Sequence, residues 1–103
     1  MNEKETYLVY IERQSYKIQI KARQEGHNFC SYRIITTDEH RLWESSMKKI
    51  FQRLVSTFSL YLDQFSESEI NDMFHDLETI SEKLRLPKEY VERKILKLRG
   101  ELI

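Results

Sequence analysis

Hydrophobic and polar positions follow two different periods along this chain, and the change of period divides it. From Tyr16 the order is two-fold: Tyr16, Ile18, Ile20 and Ala22 are separated by Lys17, Gln19, Lys21 and Arg23. Successive side chains of a strand point to opposite faces, so this run predicts a strand with one apolar and one basic face. The run before it, Tyr7 to Arg13, is apolar at both parities (Tyr7, Val9 and Ile11 against Leu8 and Tyr10), which predicts a central or covered strand. Gln14 and Ser15 separate the two runs at hairpin spacing, without the usual Asn-Gly signal. A third strand is expected from about Phe29 to Ile35, after a turn containing Gly26 and Asn28. Residues 6–36 therefore read as a three-stranded antiparallel meander.

Beyond Ile35 the apolar residues recur at spacings of three and four. Leu42, Trp43, Met47, Ile50, Phe51, Leu54, Val55, Phe58, Tyr61 and Leu62 hold one helical stripe. Thr36 and Glu39 stand at capping-box spacing, and Asp38 and Glu39 suit the positive end of a helix dipole. Together they predict a long amphipathic helix over 39–63. Ser66 and Glu69 repeat the capping-box pattern. Ile70, Met73, Phe74, Leu77, Ile80 and Leu84 then stay in helical phase over 67–84, as one helix or as two with a break near 76–79, and a helix-turn-helix needs the break. Pro87 stops that segment, because the residue before a proline avoids the α region. Pro87 also suits the first position of a last helix, whose apolar stripe is Val91, Ile95, Leu98 and Leu102. The predicted fold class is α+β: an N-terminal three-stranded antiparallel meander, then three to four helices, in one domain over 1–103.

Composition narrows the setting. With 103 residues, 40% of them hydrophobic, and only two Gly and one Pro, the chain can fill one core and is not low-complexity. No apolar run reaches the ~18 residues of a membrane span, and acids stand at the N-terminus where a signal peptide has bases. A lone cysteine, Cys30, forms no internal disulfide, which fits a reducing compartment and a cytoplasmic protein. Acids and bases balance at 17 each, but unevenly: four acids and six bases over 1–36, eight and four over 37–77, five and seven over 78–103.

The mildly basic tail, ISEKLRLPKEYVERKILKLRGELI over 80–103, is two amphipathic helices joined by a very short turn. That is the geometry of a helix-turn-helix. Ser81 is the small residue where the helices cross. Leu84 and Leu86 bracket the turn, and Val91, Ile95 and Leu98 form the seam of the second helix. The segment resembles the winged-helix branch of the helix-turn-helix superfamily at Ile80, Ser81, Glu82, Lys83, Leu84, Leu86, Lys88, Val91, Arg93, Leu98, Leu102 and Ile103. The resemblance covers about a quarter of the chain. It implies a small DNA-binding regulator, with Lys88, Glu89, Tyr90, Glu92 and Arg93 facing the groove. Arg85, Lys94 and Lys97 are then placed for phosphates. Because a monomer of zero net charge would bind a half-site weakly, a homodimer is expected, with helix 39–63 as its candidate element. The chain departs from the family pattern in three ways. Arg85 stands at the turn where glycine is usual, acids Glu89 and Glu92 lie on the groove face, and the wing hairpin would begin only at about Ile103.

A rival reading rests on charge. Asp63, Glu67, Glu69, Asp72 and Asp76 gather near the junction of two predicted helices, and such a patch can dock on a basic surface. Small, charge-dense, cysteine-poor chains are frequent in phages and mobile elements, where many are protein-binding inhibitors or adaptors. A patch of this kind, or the sheet edge, would then meet a host protein such as a nucleic-acid-processing enzyme. The basic strand face of Lys17, Lys21 and Arg23 reads first as a solvated face. His27 and Cys30 have a spacing a metal can use, but no second cysteine accompanies them, so neither a metal nor a cofactor is expected. Cys30 with His27 or His40 is the only nucleophile–base pairing, and no glycine-rich loop supports it, so the chain does not read as an enzyme.

Overall fold

The computed structural model describes the backbone of residues 4–25, 27–35, 39–44 and 46–102, and the side chains of 8–21 and 46–102. The fold is α+β: an antiparallel sheet precedes three helices. The strands are β1 (Lys4–Glu12), β2 (Lys17–Glu25), β3 (His27–Ile35) and β4 (Glu39–Glu44), and the sheet order is β1-β2-β3-β4. The helices are α1 (Met47–Tyr61), α2 (Glu67–Lys83) and α3 (Lys88–Gly100), with a 3-10 turn at Leu62–Gln64 between the first two. Two compact units result, Met1–Ile50 and Phe51–Ile103.

In the first unit the two-fold pattern of β2 becomes burial. Tyr16, Ile18 and Ile20 are buried, while Lys17, Gln19 and Lys21 are only half-buried. The expected Gln14–Ser15 hairpin is present: the Arg13 N–H donates to the Tyr16 carbonyl at 2.9 Å, and Lys17 pairs with Glu12 at 3.2 Å. Pairing runs from Glu12↔Lys17 to Lys4↔Gln24, with one irregularity between Tyr7 and Val9. β1 corrects its expectation. It is an edge strand, with Val9 buried and Tyr10 52% exposed. Its extra apolar positions are therefore not those of a central strand, and an irregularity that twists an edge strand limits its pairing with other chains.

The larger correction is at 39–63. Three strands followed directly by a long helix do not form. Residues Glu39–Glu44 make a fourth strand against β3, from Ile35↔Glu39 to Cys30↔Glu44, and the helix starts only at Met47. Glu39 thus opens a strand rather than a helix, while Thr36 and Asp38 lie outside the described residues. A dimer element spanning 39–63 is accordingly not available as one helix. The apolar stripe of α1 is already buried at Phe51, Leu54, Val55, Phe58 and Tyr61, which leaves Leu60 exposed.

In the second unit Phe51, Leu54 and Phe58 of α1, Met73, Leu77 and Ile80 of α2, and Val91, Ile95 and Leu98 of α3 are all buried. Phe58 meets Phe65 edge-on, with ring centroids 6.2 Å apart. The second capping box forms: the Ser66 N–H donates to the Glu69 carboxylate at 2.9 Å, and the Glu69 N–H donates to the Ser66 hydroxyl at 3.2 Å. Two otherwise orphaned donors at the start of α2 are thereby satisfied. α2 then runs unbroken to Lys83. The last helix begins one residue after Pro87, and Leu102, expected in its buried seam, lies past the helix end and is exposed.

Candidate functional site

The turn between α2 and α3 has a specific geometry. Leu84 is the C-cap that follows α2, and Arg85 comes next at φ 53, the one positive-φ non-glycine among the described residues. The Arg85 N–H donates to the Glu82 carbonyl and the Leu86 N–H to the Ser81 carbonyl, both at 3.1 Å. These paired bonds define a Schellman motif, which requires the left-handed conformation at the residue after the cap. Glycine takes that conformation without strain and arginine does not. Pro87, at φ −57 and ψ 133, turns the chain into α3, and the Val91 N–H closes the first helical bond on its carbonyl at 3.1 Å.

The sites expected on α3 separate into three places. Val91, Ile95 and Leu98 are buried, so helical spacing puts Glu89, Arg93, Leu96 and Gly100 along the opposite crest. Glu89 and Arg93 are exposed there, as is Leu96 at 71%. Arg85, Lys88 and Glu92 lie together on one flank, around a cleft of about 580 Å³ that also has Glu78 and Glu82 of α2 on its rim. Its apolar floor includes Leu86, Val91 and Ile95. Lys94 and Lys97 lie on the other flank, facing α1 across a smaller pocket of about 140 Å³.

Tyr90 does not stand out as a groove-facing side chain. It is half-buried, with its ring 6.4 Å from that of Phe51, and Lys94 and Arg93 hold their charges 5.5 and 6.0 Å from its centroid. Burial raises its hydroxyl above the ordinary 10.0, against a smaller lowering by the Arg93 charge. Tyr90 therefore packs the root of α3 and anchors two cations. Arg99, which the sequence left out of the site, lies 4.1 Å over the ring of buried Phe74 and ties the end of α3 to α2. An arginine four residues past Ile95 and one past Leu98, beside the seam, is the only sequence signal for that contact.

The acidic cluster is dispersed by the fold. Asp63 and Glu67 are exposed and Asp72 is half-buried, but the Glu69 carboxylate is held by the Ser66 N–H in the capping box. Asp76 is buried, at 3% exposure, and so is not part of any docking surface. It follows Met73 by three residues and precedes Ile80 by four, the spacing of the buried face rather than the solvent face. On the sheet, Lys17 and Lys21 are half-buried, while the side chains of Arg23, His27, Cys30 and His40 lie outside the described residues. Among the described residues no three His, Cys, Asp or Glu side chains gather as a metal site, and no helix is long and apolar enough to cross a membrane. No known protein family, curated protein or solved structure matches the chain.

Proposed function

We propose that this protein is a small DNA-binding regulator that presents α3 to the major groove from an α2–turn–α3 hairpin. The observation that carries the reading is Arg85, an exposed arginine held at φ 53 where glycine would be unstrained. A non-glycine residue in this region costs on the order of 1–3 kcal/mol, and such strain concentrates at functional sites. A cation at the turn lies beside the groove-facing helix, where a phosphate passes. The crest then offers Arg93 to a base edge, with Lys88 and Lys97 on either side. The acids Glu89 and Glu92 lower the electrostatic attraction, and Glu89 is in position to accept a hydrogen bond from cytosine N4.

The break near 76–79 that this reading was expected to need is absent, since α2 is one helix. The separate helix that must precede the hairpin is α1, set apart from α2 by the 3-10 turn and Ser66. With no net charge on the chain, one copy neutralises few phosphates, so the reading includes a homodimer. Gel shift of a labelled duplex pool by wild type and by Arg93→Ala tests it. A shift that weakens in the variant and with added salt supports the reading. Equal retardation of the two proteins sinks the assignment of α3. Recovery of a protein partner that persists after nuclease treatment, with no duplex shift, would favour an inhibitor or adaptor.

A further inference from the structure

We propose that the small pocket between α1 and α3 is a seat for one phosphate of the nucleic-acid backbone, with donors from α1 that the hairpin alone does not supply. This rests on the DNA reading of α3 and adds a second helix to the contact. One wall is Gln52, Ser56 and Ser59, at spacings of four and three along α1. The facing wall is Lys94 and Lys97 of α3, with Glu101 just past its end. Val55 and Leu98 close the floor.

Charge selects the occupant. The pocket, of about 140 Å³, has room for a phosphoryl group. Two lysines, Lys94 and Lys97, and one carboxylate, that of Glu101, line the space. Glu101 accepts the Ser59 hydroxyl, so that serine's proton is already committed. Lys94 is half-buried beside the Tyr90 ring, at 5.5 Å, which restrains it at the rim. Among the described residues no hydrogen bond or ion pair engages the side chains of Gln52, Ser56 or Lys97. An oxyanion in the pocket therefore meets two cations, an amide and a hydroxyl as donors. Glu101 is the one like charge that opposes it.

The test is anisotropy of a labelled duplex between ~50 and ~200 mM salt, comparing wild type with Gln52→Ala/Ser56→Ala, Lys97→Ala and Glu101→Gln. The α1 pair carries no charge, so its removal weakens binding, by roughly three- to tenfold, only if the pocket holds the phosphate. Lys97→Ala should reduce the salt slope by about 0.9, a relative change of about 3.5-fold over a fourfold rise in salt. Glu101→Gln should tighten binding. Wild-type affinity in Gln52→Ala/Ser56→Ala overturns the seat while leaving the DNA reading standing. No duplex binding by wild type overturns both. Replacing chloride by inorganic phosphate at equal ionic strength separates the sources. If free phosphate shifts the α1 and α3 amide resonances but Gln52→Ala/Ser56→Ala binds duplex normally, the backbone assignment is wrong.

Discussion

Replacing Arg85 by glycine should stabilise the protein and weaken the proposed DNA binding. Arg85 occupies the left-handed position of the Schellman turn, fixed by bonds of 3.1 Å on both sides. An L-residue with a Cβ loses about 1–2 kcal/mol there. Glycine removes that strain but returns about 0.5–1 kcal/mol through the greater freedom of the unfolded chain. The net expectation for Arg85→Gly is a gain of about 0.5–1 kcal/mol, or about 2–8 °C in Tm for a domain of this size. Arg85→Ala is the control, since it removes the guanidinium and keeps the strain. Urea and thermal unfolding followed by helical circular dichroism should rank glycine above both alanine and arginine. On the proposed DNA reading, duplex affinity should instead group glycine with alanine, both below wild type, because that reading gives the phosphate contact to the guanidinium and not to the Cβ. If Arg85→Gly is no more stable than Arg85→Ala, the strain argument fails, and with it the observation that carries the functional reading.

Ser66→Ala should cost about 1 kcal/mol, because both halves of the capping box depend on that residue, and a lower urea midpoint would register it. Asp76→Ala should lower Tm by the equivalent of roughly 1–3 kcal/mol, since a buried polar group leaves its surroundings unsatisfied when removed. Charge reversal at exposed Asp63 and Glu67 should leave Tm unchanged, and the opposite ranking would restore Asp76 to the surface. Burial raises the Tyr90 hydroxyl above 10.0, so its contribution is fully present below that pH. It is lost as pH rises through the raised value. Tyr90→Phe should flatten the alkaline fall in stability between those points, and an unchanged pH profile would contradict the packing assigned to that ring.

Features set by neighbours in the sequence were legible in it. The two-fold alternation of β2, the Gln14–Ser15 hairpin, the Ser66–Glu69 cap and the Pro87 stop each depend on a few adjacent residues, and each has its expected local form. The need for positive φ at position 85 was legible in the same way, from a turn pattern in which arginine replaces glycine. The segment Glu39–Glu44 was not. Leu42 and Trp43 fall in helical phase with Met47 and Ile50, and Glu39 stands at capping spacing from Thr36, so local signals all favour a helix. What decides for a strand is pairing with β3, a tertiary contact that periodicity does not encode. The acidic cluster misled for a related reason. Five carboxylates close in sequence diverge once α2 is a single helix, because Asp76 turns inward with Met73 and Ile80. Tyr90 was expected on the groove face and Arg99 was not singled out, and only the rings of Phe51 and Phe74 show that both pack.

The proposed engagement of duplex DNA by the crest and basic flanks of α3 is open to direct test. Its most direct measurement is the dependence of log K on log salt for wild type and for Lys88→Ala/Arg93→Ala, by anisotropy from ~50 mM salt upward. Wild type should show a linear fall, and the double variant weaker binding with a slope shallower by roughly one to two. No binding at the lowest salt, or a double variant that binds with the wild-type slope, would contradict it.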